Sequence, residues 1–167
     1  MTPTIVEAER RLPYPPADLC RLVGDVRSYP SFIPWLQSLR IVHERRDGDV
    51  WRGLAQAVIG WRGLRERFST HVVCDPPQGI VDVKLADGPF RHLENRWRFA
   101  SDGEGGAIVR FWIAYEFRNP LLNGLARVNR ETAADKIIRA FEQEARKRFG
   151  PPHAPEADVP SEPQPIS

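Results

Sequence analysis

Only two cysteines and one methionine occur in 167 residues. Cys20 and Cys74 stand apart without CxxC spacing, so the sequence indicates neither a disulfide framework nor a thiolate metal knuckle. A reducing compartment is the expected setting. No run approaches the ~20 apolar residues that a membrane-spanning helix requires. The first ten residues lack the basic-then-apolar pattern of a secretion signal, so any membrane contact is expected to be peripheral. The histidines His43, His71, His92 and His153 are scattered and match no HExxH or other ligand spacing. A GxSxG elbow, phosphate-loop glycines and a dinucleotide fingerprint are also missing. No catalytic residue, metal ligand or cofactor is therefore expected. Charge of one sign is lacking too. The formal net charge is +2, and the Gly150–Ser167 tail carries Glu156, Asp158 and Glu162 but no Lys or Arg. The rest of the chain is thus mildly basic, which suits RNA or an anionic membrane without selecting either, and DNA binding is not expected.

What is present is a series of strand and turn signals closed by a long helical stretch. Thr4 to Leu12 alternates weakly, as an edge strand does. Pro13-Tyr14-Pro15-Pro16 ends it, and Ala17 to Val26 places Leu19, Leu22, Val23 and Val26 on one helical side. Ser28 to Trp35 holds two prolines four apart among bulky apolar groups. It reads as one helical turn packed across a sheet end, or as a loop with aromatic anchors. Strands are expected over Gln37–Arg46, Val50–Ile59, Arg65–Cys74, Ile80–Leu85, Arg91–Ala100 and Ala107–Arg118. Asp47-Gly48 marks a hairpin turn, and Gly60-Trp61-Arg62-Gly63 a bulge or corner. Short connections imply a mostly antiparallel meander.

From Asn119 to Phe149 the periodicity predicts one long helix, with Asn119 as N-cap, Pro120 at its first position and Gly150-Pro151-Pro152 as the stop. Its apolar stripe runs through Leu121, Leu125, Val128, Thr132, Ile137, Phe141 and Ala145. The expected fold is α+β: a curved, mostly antiparallel sheet of about six to seven strands wrapped around that helix. Residues 1–150 form the domain. The proline-rich stretch 151–167 has too little apolar surface to order itself and forms a disordered tail.

The inward strand positions are heavy in large aromatics: Phe68, Phe90, Trp97, Phe111 and Tyr115. Gly124 and Ala126 reduce side-chain volume near the helix start. These residues either fill the core or line a hollow that suits an apolar ligand. Glu66 is the one acid that strand parity turns towards Phe68. It is either an inward acid/base candidate or a corner residue facing water, with Arg65 and Arg67 on either side.

Three stretches carry a family resemblance. Val23-Gly24-Asp25-Val26-Arg27-Ser28-Tyr29-Pro30-Ser31-Phe32-Ile33-Pro34-Trp35 resembles a signature of the coenzyme Q-binding branch of the START-like (polyketide cyclase/dehydrase) superfamily. Asp87-Gly88-Pro89-Phe90-Arg91-His92-Leu93-Glu94-Asn95-Arg96-Trp97-Arg98-Phe99 is similar to its second hallmark, and Ile137–Arg146 to its C-terminal helix. The resemblance implies the helix-grip fold and a hydrophobic tunnel between sheet and helix. It also implies a non-enzymatic role as a ubiquinone carrier or chaperone supporting electron transport. The bound ligand is then ubiquinone or a similar prenyl lipid. Its tail is expected against Phe68, Val83, Leu85, Phe90, Leu93, Trp97, Phe111, Tyr115, Leu125 and Val128, with Tyr115 or a group near Phe32 and Trp35 meeting the head.

Bacterial relatives in this branch include toxins that block association of ribosomal subunits. A ribosome contact through Arg40, Arg45, Arg46, Arg62, Arg65, Arg139, Lys147 and Arg148 is thus the alternative expectation. A polyketide cyclase or aromatase would need an acid/base pair, for which Glu66 with Tyr115 is the candidate. The expected location is cytoplasmic, with peripheral contact at the inner membrane.

Overall fold

The computed structural model describes residues 2–61 and 63–151. Arg62, the side chains of Trp61 and Leu64, and the expected tail from Pro152 to Ser167 lie outside the described residues. Seven strands make one sheet: β1 (Thr4–Leu12), β2 (Leu36–Asp47), β3 (Val50–Trp61), β4 (Leu64–Asp75), β5 (Ile80–Asp87), β6 (Phe90–Ser101) and β7 (Ala107–Phe117). Their order is β1-β7-β6-β5-β4-β3-β2, and every pairing is antiparallel. The weakly alternating first strand is an edge. Consecutive strands from β2 to β7 are neighbours, as short turns require. Asp47 pairs with Val50 at the expected hairpin turn, and β3 and β4 stay paired as far as Trp61 and Leu64.

The sheet curves because its ladders carry irregularities. Register shifts fall between Val42 and Arg45, between Ser69 and Thr70, between Phe90 and His92, and between Leu36 and Ser38. The first encloses His43, whose φ of 54° is the positive non-glycine value among the described residues. Gly88 closes the β5–β6 turn at φ 148°, and a Cβ there would strike Phe68.

Two short helical pieces follow β1. Helix α1 (Pro16–Gly24) buries Leu19, Cys20, Leu22 and Val23, and a 3₁₀ turn spans Val26–Ser31 with Pro30 inside it. Gly24 lets α1 approach β4, since a Cβ there would overlap Cys74. After β7 the chain forms α2 (Pro120–Val128) and α3 (Arg130–Phe149). Asn119 caps α2 by accepting from Leu121 N at 2.9 Å. This is a helix-grip architecture, with one difference from the sequence expectation. The C-terminal stretch is broken at Asn129, whose side chain donates to Leu125 O at 2.9 Å. Val, Asn and Thr are poor helix formers, and Asn competes for backbone groups, so Val128–Thr132 is a weak link in an otherwise helical pattern. Beyond the break α3 buries Ala134, Ile138, Phe141 and Ala145 against the sheet. The expected stripe members Leu121, Leu125 and Val128 face water instead.

Candidate functional site

The space between the concave sheet face and the helices is divided in two. On the α1 side, Leu19, Leu22, Val23, Phe99, Val109 and Ile138 pack so closely that only about 20 Å³ stays empty. On the other side is a cavity of about 380 Å³, within the ~300–1,000 Å³ range typical of small-molecule sites. Trp97, Phe111 and Phe141 line both spaces and form the partition. The Trp97 ring meets Phe111 edge-on at 4.8 Å and Phe141 at 5.1 Å.

The hollow exists because small side chains face each other across it. Ala55 and Ala57 on β3 stand opposite Ala126 on α2 and Ala133 and Ala134 on α3. A Leu at any of these would project into the space. The wall is otherwise built from inward strand positions such as Phe68 and Val72 on β4, Val83 on β5, Leu93 on β6 and Ile113 on β7. The result is an apolar lining with a few polar groups whose hydrogen bonds are largely committed. The Tyr29 hydroxyl donates to Val23 O. Asn95 donates to Trp112 O at 3.0 Å and accepts from the Trp97 indole at 2.8 Å. Tyr115 donates to Ala126 O at 2.9 Å, joining β7 to α2. Burial pushes both phenols above their ordinary pKa, so they stay neutral. Thr70, Asn129 and Arg130 complete the polar part of the wall.

Among the residues read from the sequence, Trp35, Phe68, Val83, Phe90, Leu93, Trp97, Phe111 and Tyr115 are in the wall. Phe32 is half-buried and is not a wall residue; its ring meets Tyr29 and Phe141 edge-on. Leu85 is half-buried beyond the wall, and Leu125 and Val128 point outward on α2. Sequence reading missed Tyr29, Ile33, Leu36, Leu39, Thr70, Asn95 and the alanines of β3 and α3, while Ala126, expected to make room, is in the wall. The alternation Ala55-Gln56-Ala57 and the pair Ala133-Ala134 were the available signals for a hollow. Gly124, expected to help make room, is exposed and takes no part in the wall.

Glu66 shares strand parity with Phe68, Thr70 and Val72 and is half-buried, but it is not a wall residue. The Tyr115 hydroxyl is engaged by Ala126. The acid/base pair that a cyclase would need is therefore not assembled. No cluster of metal-ligating side chains occurs among the described residues. No helix among them is long and apolar enough to cross a membrane.

The basic residues form no single patch. Arg40, Arg52, Arg65, Arg67 and Lys84 alternate with cavity-facing neighbours and so project from the convex face of β2–β5, where they are exposed. Arg45 pairs with Asp47, Arg139 with Asp135, and Arg148 with Glu144 and Asp25. Lys147 is exposed on α3, Arg46 lines a surface cleft beside Arg27 and Glu44, and Arg62 is outside the described residues.

The family described as "Polyketide cyclase / dehydrase and lipid transport" matches residues 12–142. The chain belongs to that family. Among relatives of this polyketide cyclase/dehydrase and lipid transport family, Ribosome association toxin RatA of Rickettsia prowazekii is 31% identical over 139 residues. That match covers 81% of this chain and 92% of the relative. The mitochondrial Coenzyme Q-binding protein coq10 of Schizosaccharomyces pombe is 29% identical over 144 residues, 83% of this chain and 85% of the relative. The solution structure of the 18 kDa protein CC1736 from Caulobacter crescentus has a TM-score of 0.74 and 38% identity, covering 89% of this chain and 99% of that one. Toxins and coenzyme Q-binding proteins of the superfamily match at similar identity, so neither branch claims the chain. This member of the family encloses an apolar cavity of small-molecule size.

Proposed function

We propose that the protein is a ribosome-associated regulator whose body also holds an apolar ligand. The relatives named Ribosome association toxin support this reading, since the Rickettsia protein aligns over nearly its whole length. The observation that carries it is the convex face. Arg40, Arg52, Arg65, Arg67 and Lys84 are exposed there and form no ion pair among the described residues, and such solvent-facing cations suit contact with RNA phosphates. Cosedimentation with purified ribosomal subunits over a salt series tests it. Binding should weaken steeply as salt rises, because each phosphate contact releases counterions. The double variant Arg65→Glu/Arg67→Glu should bind weakly at all salts. Absence of cosedimentation even at low salt sinks the ribosome reading.

The cavity favours a second reading, carriage of ubiquinone or a similar prenyl lipid. Its apolar wall suits an oily tail, and the Arg130 guanidinium in that wall offers donors to a carbonyl-bearing ring. The coenzyme Q-binding relative and the stretches Val23–Trp35 and Asp87–Phe99 support it. Organic extraction of the purified protein followed by mass spectrometry decides it. Failure to recover quinone from a quinone-producing host, together with no uptake in vitro, removes this reading and leaves the first intact.

A further inference from the structure

Helix α2 presents its apolar side to water. Leu121, Leu125 and Val128 are 72%, 44% and 84% exposed. At ~100° per residue they fall within about 60° of arc, so they form one stripe. The helix is held in this orientation from behind. Buried Asn123 accepts from Phe117 N at 3.2 Å, and the Ala126 carbonyl accepts from the Tyr115 hydroxyl at 2.9 Å. Turning the stripe inward would break both bonds.

The surroundings of the stripe are basic. Arg118 just before the helix and Arg127 and Arg130 at its end are exposed, and no acid occurs from Arg118 to Arg130; Glu131 is the next in sequence. The stripe also adjoins the cavity, because Ala126, Asn129 and Arg130 belong to its wall. A stripe of leucine and valine on a helix with guanidinium groups at both ends fits the headgroup–acyl boundary of an anionic bilayer. An acidic protein partner would satisfy the arginines, but it gives no reason for the stripe to lie beside a lipid-sized hollow.

We propose that α2 docks on anionic membranes through Leu121, Leu125 and Val128, and that the cavity exchanges its ligand there without the ligand crossing water. The exchange step rests on the reading that the cavity holds an apolar ligand; the docking step does not.

Flotation of the full chain with vesicles of phosphatidylcholine, alone or mixed with phosphatidylglycerol, tests docking. The protein should float with the anionic vesicles, less so at high salt, and scarcely with phosphatidylcholine alone. Leu121→Glu/Val128→Glu should reduce binding about tenfold or more while leaving thermal unfolding unchanged, since both side chains already face water. Leu121→Ser/Val128→Ser gives a milder form of the same loss without added charge. Docking is overturned if the wild type stays with the soluble fraction, or if both double variants float like it. It is equally overturned if the stripe mediates self-association in vesicle-free buffer, seen as a dimer that the variants abolish. Flotation without any recoverable apolar ligand would uphold docking and reject the exchange step.

Discussion

Trp97 is fixed by three kinds of contact at once. It is 4% exposed, its indole N–H donates to Asn95, and its ring meets Phe111 and Phe141 edge-on. Trp97→Ala should therefore cost about 3–5 kcal/mol, the usual range for an aromatic lost from a core. Urea unfolding measures it, and a cost below about 1 kcal/mol would show that the partition is not a structural wall. A different dependence is expected at Glu44. Its carboxyl is held down to about 2 from an ordinary 4.5, first by the Arg27 guanidinium and then by the Trp51 indole. The donor distances are 2.6 and 3.0 Å from Arg27 and 2.6 Å from Trp51. The folded chain thus prefers the ionised form. The stabilisation is present above pH 4.5 and is lost as the pH falls towards about 2. Wild type should be slightly more stable than Glu44→Gln at neutral pH, and the gap should close across that window in denaturation curves taken at several pH values. A gap that stayed constant would reject the pairing.

Elements were legible where one physical signal decided them. Each strand from β2 to β7 shows alternation bounded by Gly or Pro turns, and the Asn119-Pro120 start of α2 could be read from capping chemistry. The break at Asn129 was not legible. The spacing of Leu121, Leu125 and Val128 says that they share a face, but not what the face meets, and a bent helix turns a sequence stripe away from its expected partner. The same limit explains Leu85, whose parity is inward although it lies beyond the wall. Tyr115 tests how α2 is held. Tyr115→Phe removes the bond to Ala126 and should cost about 1 kcal/mol. Amide exchange should quicken in α2 and stay slow in α3 beyond Ile137. If the two helices change together, they move as one unit and the break has no mechanical meaning.

At the scale of the whole molecule, a hollow interior could be suspected from the inward aromatics but not located. Its position depends on the alanines of β3, α2 and α3, which sit far apart in sequence and coincide only once the sheet curls. Filling it should stabilise the fold. A ligand present at 100 times its dissociation constant contributes about 2.7 kcal/mol by mass action. A prenyl quinone should accordingly raise the melting temperature of the wild type and quench tryptophan emission, because Trp35 and Trp97 line the space. No shift at saturating quinone would count against that class of ligand.

The aromatic divider made by Trp97, Phe111 and Phe141 gives the chain two interiors with different tolerances. Behind it, almost every atom already has a neighbour, and a change of one methyl group must be felt. In front of it, side chains can grow into vacant room, so a new taste in small molecules could evolve there, residue by residue, while the frame that folds the protein is left untouched.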